Sequence, residues 1–357
     1  MLSHLSFMLS HLSFMLSHLS KLPIFRTLVL CSFACMTTVA AASQASTIDL
    51  TAMNKTAQGF SNIKTVQVAY KGELVWSKAY NNVDMDAVTN IKSASKSVMS
   101  AIVGMAIDRG VLDGADQSVT TLLPDQLPQN PDPRLNEITI GHLLSMQAGL
   151  ERTSGRNYGA WVASDNWVKS VLSRPFVEEV GGEMQYSTGN THVLSAIMMR
   201  ESGRHTYQLA NDWLQGSGVR IQSWETDPQG IPMGGNQVGM TPASLLAFGE
   251  LYRRGGVTED GKRILSQEWI EQSWTPRTQS QYHRGLYGYG WFIQTFAGVQ
   301  GYYGWGYGGQ MIYVLPELEL TVAITSQESL PSGRTGYRDS LHRMLSQDII
   351  PAIQSAL

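Results

Sequence analysis

Strand-forming segments stand at the two ends of this chain, and that placement constrains its fold more than any other feature. Thr65–Tyr80 alternates in the manner of strands around a Lys71-Gly72-Glu73 turn, which predicts a hairpin of Val66–Tyr70 and Leu74–Tyr80. Gly288–Phe296, Gln310–Leu315 and Leu320–Ser326 read as strands separated by Gly and Pro-Glu turns, and a closing helix runs from about Tyr337. The middle is helical in pattern: residues 164–173 and 190–201, Pro242–Arg253, Ser266–Trp274, and a short helix capped by Thr139 and ended near Gly149. Strands from both ends around a helical insert predict an α/β (α+β) fold. One antiparallel sheet is built from both chain ends, a helical lobe is inserted between them, and a site lies at their seam. No Ser/Gly/Pro linker divides residues 46–357, which read as one domain.

Ahead of that domain, Met1–Phe7 and Met8–Phe14 are identical heptads and Met15–Ser20 begins a third. One such repeat cannot bury a core, so residues 1–20 read as an unstructured, duplicated translation start. Lys21 and Arg26, an apolar run from Leu28 to Val39 and the small residues Ala40–Ala45 describe a secretory signal peptide over residues 21–45. The run is too short to span a bilayer comfortably, so the expectation is a periplasmic or secreted protein with no stable membrane span after cleavage. Both cysteines, Cys31 and Cys35, fall inside it. The exported chain therefore has no disulfide and no cysteine metal site. From Ser46 onward 24 basic residues (26 less Lys21 and Arg26) face 29 acidic ones, a net charge of −5 with no clustered basic run. That argues against a nucleic-acid binder. No P-loop, G-x-S-x-G or H-E-x-x-H is present, and His142, His192, His205, His283 and His342 are scattered, so neither cofactor nor metal is expected.

The stretch that carries chemistry is Ile91–Val98. Ser93-Ala94-Ser95-Lys96 is an S-x-x-K pair, followed by apolar residues at 98, 102, 105 and 106. That spacing starts a helix at Ser93 and sets Lys96 one turn on, on the same face. A serine needs a base to take its proton, and a lysine serves when burial or a neighbouring cation lowers its pKa. The N–H groups of a helix start suit a developing oxyanion. The bland reading is a serine-rich helix cap with a solvated lysine, and S-x-x-K gains weight only from partners further along.

Those partners are present in order. They are Ile138-Thr139-Ile140-Gly141-His142-Leu143-Leu144-Ser145-Met146, Gln185-Tyr186-Ser187-Thr188-Gly189-Asn190, Gly288-Tyr289-Gly290-Trp291, and Gly308-Gly309-Gln310 before Tyr313-Val314-Leu315-Pro316. Over about residues 60–355 the chain resembles the serine β-lactamase and penicillin-binding-protein superfamily, closest to its class C-like branch of lactamases, esterases and amide hydrolases such as the 6-aminohexanoate-dimer hydrolases. The resemblance implies Ser93 as nucleophile, with Lys96 and Tyr186 managing its proton. Neighbouring positive charges would favour the Tyr186 anion.

Ser164-Asp165-Asn166 and Arg334-Thr335-Gly336 imitate the class A boxes. Ser164 and Asp165, however, stand where a helix N-cap is expected, and Arg334 follows the last strand. Where many relatives carry Lys-Thr-Gly, this chain reads Gly301-Tyr302-Tyr303-Gly304-Trp305-Gly306-Tyr307-Gly308-Gly309 with no cation. The preferred register puts Gly304-Trp305-Gly306 at the motif, with the Tyr307 N–H as second oxyanion donor beside the Ser93 N–H. A shift by three, to Tyr307-Gly308-Gly309, stays open. Losing the Lys and Thr removes a carboxylate-binding pair and points to a small ester, amide or peptide-like substrate. A class C-like β-lactamase or D-Ala peptidase is the alternative, and a non-catalytic binding or sensor protein on the same fold is the second. Tyr282, Tyr287, Tyr289, Trp291, Tyr302, Tyr303 and Trp305 would wall such a pocket, although core is the expected place for most.

Overall fold

Alternation at both chain ends gives a single large sheet. The computed structural model describes residues 48–283, 285–330 and 336–356. The heptads, the signal segment and Arg334-Thr335 lie outside the described residues. The strands are β1 (Ile63–Tyr70), β2 (Glu73–Ala79), β3 (Thr89–Asn90), β4 (Ser223–Trp224), β5 (Val238–Met240), β6 (Thr278–Gln279), β7 (Leu286–Tyr287), β8 (Phe292–Phe296), β9 (Val299–Gly306), β10 (Gln310–Leu315) and β11 (Leu320–Ser326). Eight of them form one sheet in the order β2-β1-β11-β10-β9-β8-β7-β6, and β3-β5-β4 form a second. β1 pairs antiparallel with β11 from Ile63 opposite Ser326 to Tyr70 opposite Leu320, which ties the two chain ends together. The expected α/β fold, with an antiparallel sheet from both ends and a helical insert, is the one observed.

The principal helices are α1 (Thr51–Gln58), α2 (Ser95–Asp108), α3 (Ile140–Leu144), α4 (Trp167–Leu172), α5 (Thr188–Ser202), α6 (Pro242–Arg253), α7 (Gln267–Trp274) and α8 (Tyr337–Met344). All six residues of β10 are buried, because both faces of the sheet are covered. Successive strand side chains point to opposite faces. Ile312 and Val314 accordingly join the core of the helical lobe, while Met311, Tyr313 and Leu315 pack with α1 and the carboxy-terminal helices.

Four local readings differ. Gly288–Trp291 is a turn rather than the start of a strand, with Gly290 at φ 78°, so β8 begins only at Phe292. β9 is a full strand that its Gly- and Tyr-rich sequence hid. α1 precedes the hairpin, and apolar periodicity did not announce it. The N-cap of α4 is Asn166, whose side chain accepts from the Lys169 N–H at 2.8 Å. Ser164 instead donates to the Trp161 carbonyl at 2.7 Å and closes the preceding turn. Among the described residues no helix is long and apolar enough to cross a membrane.

Candidate active site

The Ser93 hydroxyl stands where β9 and the helical lobe meet. β3 delivers the chain to one 3-10 turn, Lys92–Ala94, which runs directly into α2. Lys92 is left-handed, φ 51°, one residue before Ser93. Such a conformation costs a lysine about 1–3 kcal/mol and persists only where neighbours impose it. Here the Lys92 N–H donates to Asn90 Oδ1 at 2.9 Å, and Ser95 Oγ donates to the Lys92 carbonyl at 2.5 Å. Ser93 thus enters among the first residues of a helix, where N–H groups lack intrahelical acceptors. The turn at Gly290 buttresses that helix: Ser97 Oγ donates to the Gly290 carbonyl at 2.6 Å.

Lys96 lies one turn on and is 1 % exposed. Its Nζ is 3.2 Å from Ser93 Oγ, donates to the Gly235 carbonyl at 2.8 Å and reaches Thr188 Oγ1 at 3.5 Å. Burial pushes its pKa down to about 7, so near neutrality a sizeable share is free amine. The Tyr186 ring faces the same nitrogen, 4.8 Å from centroid to Nζ. The structure therefore brings Ser93, Lys96 and Tyr186 together.

The charge state of Tyr186 differs from expectation. The ring is packed edge-on against Tyr282 (5.4 Å between centroids) and Tyr287, and stacked on Phe292. Burial drives its pKa well above 10, and a hydrogen bond with Ser93 opposes that only in part. Tyr186 rests as a phenol, and the group poised to accept a proton is Lys96. The anion was expected from nearby cations, but Lys96 is itself too buried to hold its charge firmly.

The third motif completes the wall. β8 pairs with β9 only as far as Tyr303, so Gly304–Gly306 extend past it. They lie flush on the turn that carries Ser93: a Cβ on Gly304 would stand 2.9 Å from Ser97 Oγ, and one on Gly306 would stand 2.1 Å from the Ile91 oxygen. Tyr307-Gly308-Gly309 is instead a tight turn, with Gly308 and Gly309 at φ 87° and 100° and the Gly309 N–H donating to the Gly306 carbonyl at 3.1 Å. The strand against the helix is thus Gly304-Trp305-Gly306, and the Tyr307 N–H follows at its end. Tyr307 is half exposed at the rim, and Trp305 meets Tyr282 edge-on at 5.8 Å. Among the described residues a cation does approach this motif: the Arg338 guanidinium sits 5.0 Å over the Trp305 ring, already bonded to Asp339 at 2.7 and 2.9 Å.

Of the aromatics expected around a pocket, Tyr287, Tyr289, Trp291 and Tyr303 are core, whereas Tyr282 and Trp305 reach the cleft. The five histidines have structural partners. His142 caps α3, His192 meets Asp227, His205 meets the Gly230 carbonyl, and His283 and His342 meet Tyr303 and Tyr313. Among the described residues no cluster of His, Cys, Asp or Glu could hold a metal. Sequence reasoning missed Thr188 and Gly235, the two further partners of Lys96. The adjacent glycines Gly234-Gly235 were the available signal, since both lie too close to α5 for any side chain.

Comparison with known proteins agrees with the fold. A family model described as Beta-lactamase matches residues 62–343. The 6-aminohexanoate-dimer hydrolase of Paenarthrobacter ureafaciens is 27% identical over 198 residues, covering 51% of this chain and 49% of that protein. The match thus spans about half the length of that relative. A penicillin-binding protein homologue from Caulobacter crescentus superposes with a TM-score of 0.67 at 16% identity, over 86% of this chain and 97% of the other. EstCE1, a hydrolase with promiscuous acyltransferase activity, gives a TM-score of 0.66 at 17% identity, over 82% and 99%.

Proposed function

The chain belongs to the β-lactamase family, and on that premise we propose that it is a serine hydrolase cleaving an ester or amide bond through an acyl-enzyme on Ser93. The observation that carries the reading is the contact of Lys96 Nζ with Ser93 Oγ at 3.2 Å, made by a lysine that burial holds near pKa 7. In the first step Lys96 takes the Ser93 proton while Oγ bonds to the substrate carbonyl carbon. The Ser93 and Tyr307 N–H groups receive the oxyanion. The carbonyl re-forms as the leaving group departs with a proton from Tyr186, which Lys96 resupplies. Water then attacks the acyl carbon as Lys96 takes its proton, and the Ser93 Oγ–carbon bond breaks with that proton passing from Lys96 to Oγ, which releases the acid and restores the free enzyme.

Among the described residues the cation nearest the third motif, Arg338, is already paired with Asp339, and that favours a neutral substrate. One observation favours a class C-like β-lactamase instead, namely Arg338 over Trp305. Its pairing with Asp339 weighs against it. A charge-assisted hydrogen bond contributes about 1.5–3 kcal/mol, so a carboxylate-bearing substrate loses about one to two decades where none is free. Comparing kcat/KM for p-nitrophenyl butyrate and nitrocefin tests the choice. The ester is expected to be the better substrate, and a nitrocefin value well above the ester value would overturn it.

The same reading has the chain exported to the periplasm or medium, supported by the basic, apolar and small-residue order of residues 21–45. Amino-terminal sequencing of the mature protein is expected to begin just after Ala42 or Ala45. A start at Met1 or Met15 would contradict export with cleavage.

A further inference from the structure

Lys96 donates its shortest hydrogen bond not to a neighbour on its own helix but to Gly235, in the connection between β4 and β5. That connection, residues 225–237, has little regular structure. Its backbone is held by the Met233 N–H to the Glu225 carbonyl at 2.8 Å and by Trp224 Nε1 to the Met233 carbonyl at 2.7 Å. What anchors its far end is buried in α5. His192 Nε2 meets Asp227 Oδ2 at 3.0 Å, and neither side chain is exposed. The other oxygen, Asp227 Oδ1, accepts from the Gln229 and Ile231 N–H groups, both at 2.8 Å. These bonds hold the carboxylate ionised against the cost of burial, so the imidazole donates from Nε2. Trp161 and Trp167 pack on that imidazole.

α5 makes every contact from one stripe. Thr188, Thr191, His192 and Ser195 fall at i, i+3, i+4 and i+7 and share a face. Thr188 faces Lys96. Thr191 and Ser195 leave no room for a Cβ on Gly234, and Thr191 leaves none on Gly235, where it would stand 2.0 Å from Thr191 Oγ1 and 3.2 Å from Lys96 Nζ. His192 holds Asp227. A buried polar pair of this kind is expensive, and broken it leaves an uncompensated charge.

We propose that the His192–Asp227 pair is a positioning device: it clamps the 225–237 connection onto α5 and thereby keeps the Gly235 carbonyl on Lys96 Nζ. The inference rests on the reading of Lys96 as the base of a serine hydrolase. The groups that face Lys96 are Ser93 Oγ, Thr188 Oγ1, the Gly235 carbonyl and the Tyr186 ring. Tyr186 is the titratable neighbour among them, and it stays neutral. A carbonyl accepting from the ammonium favours the charged form. Its withdrawal leaves burial to act alone and moves the lysine to lower pKa.

The test is the rate of Ser93 labelling by a fluorophosphonate across pH, measured on the full chain with its thermal unfolding followed in parallel. His192→Leu is expected to lower the plateau rate about tenfold or more and to move the acidic half-point below that of the wild type. His192→Gln, which keeps a donor for Asp227, is expected to restore most of both. Gly235→Ala, which forces the connection away from Thr191 and Lys96, is expected to shift the half-point in the same direction, and it serves if His192→Leu does not fold. A folded His192→Leu or Gly235→Ala protein with the wild-type profile would overturn the proposal, as would a half-point that moves up. Wild type that is never labelled at Ser93 would instead contradict the hydrolase reading itself.

Discussion

Gly306 and Ile91 meet so closely that a Cβ on the glycine would stand 2.1 Å from the Ile91 carbonyl oxygen. This contact seats the end of β9 on the turn that presents Ser93, and it sets the distance between the two proposed oxyanion donors. Gly306→Ala is expected to push β9 outward and to lower kcat by about two to three decades, the scale for losing an oxyanion donor. KM should change little. Steady-state kinetics on a folded variant checks this, and a kcat within threefold of wild type would show that the end of β9 does not position the donor.

In the proposed mechanism Tyr186 and Lys96 divide the proton chemistry. Tyr186→Phe keeps the ring that packs on Tyr282 and Phe292 but removes the hydroxyl. Turnover is expected to fall by about two to four decades, the usual scale of acid–base catalysis, with stability nearly unchanged. A loss matched by a comparable drop in unfolding temperature would assign the residue to packing.

The pH dependence follows from Lys96. Burial lowers its pKa from 10.5 to about 7, so activity that needs the free amine is expected to rise with pH and reach half its plateau near 7. Tyr186 is shifted upward and adds no alkaline fall below about pH 10. Stability moves the same way. Between about 7 and 10.5 the unfolded lysine holds a proton that the folded one has lost, so this group's contribution to stability rises with pH across that window and is absent below it. Lys96→Arg, which cannot deprotonate, is expected to remove the acidic limb together with most of the activity. A pH–rate profile with its half-point unmoved in that variant would remove Lys96 from the role.

Asn166 rather than Ser164 caps α4. Asn166→Ala is expected to cost about 1 kcal/mol by chemical denaturation, and Ser164→Ala less, with activity retained in both. Loss of activity in a folded Ser164→Ala protein would move the chemistry to the class A arrangement.

Much of this was legible in the sequence, for a physical reason. Strands and helices with an apolar face announce themselves by period, and S-x-x-K fixes two side chains on one helix face whatever surrounds them. β9 was not legible, because Gly301-Tyr302-Tyr303-Gly304-Trp305-Gly306 is selected for close approach to a helix rather than for aliphatic alternation. The charge states were not legible either. They depend on how deeply Lys96 and Tyr186 are buried, which only the packing of Tyr282, Tyr287, Phe292 and the 225–237 connection decides. His192 looked isolated because its partner, Asp227, lies thirty-five residues away in sequence.

The central claim is a covalent intermediate on Ser93, and mass measurement of that intermediate tests it most directly. The wild-type protein is incubated with a fluorophosphonate and, in parallel, with p-nitrophenyl butyrate, then digested and mapped. One adduct per chain is expected, on the peptide containing Ser93-Ala94-Ser95-Lys96, with none in Ser93→Ala and a strongly slowed reaction in Lys96→Arg. An adduct on a different residue, or undiminished labelling of folded Ser93→Ala, would contradict the account.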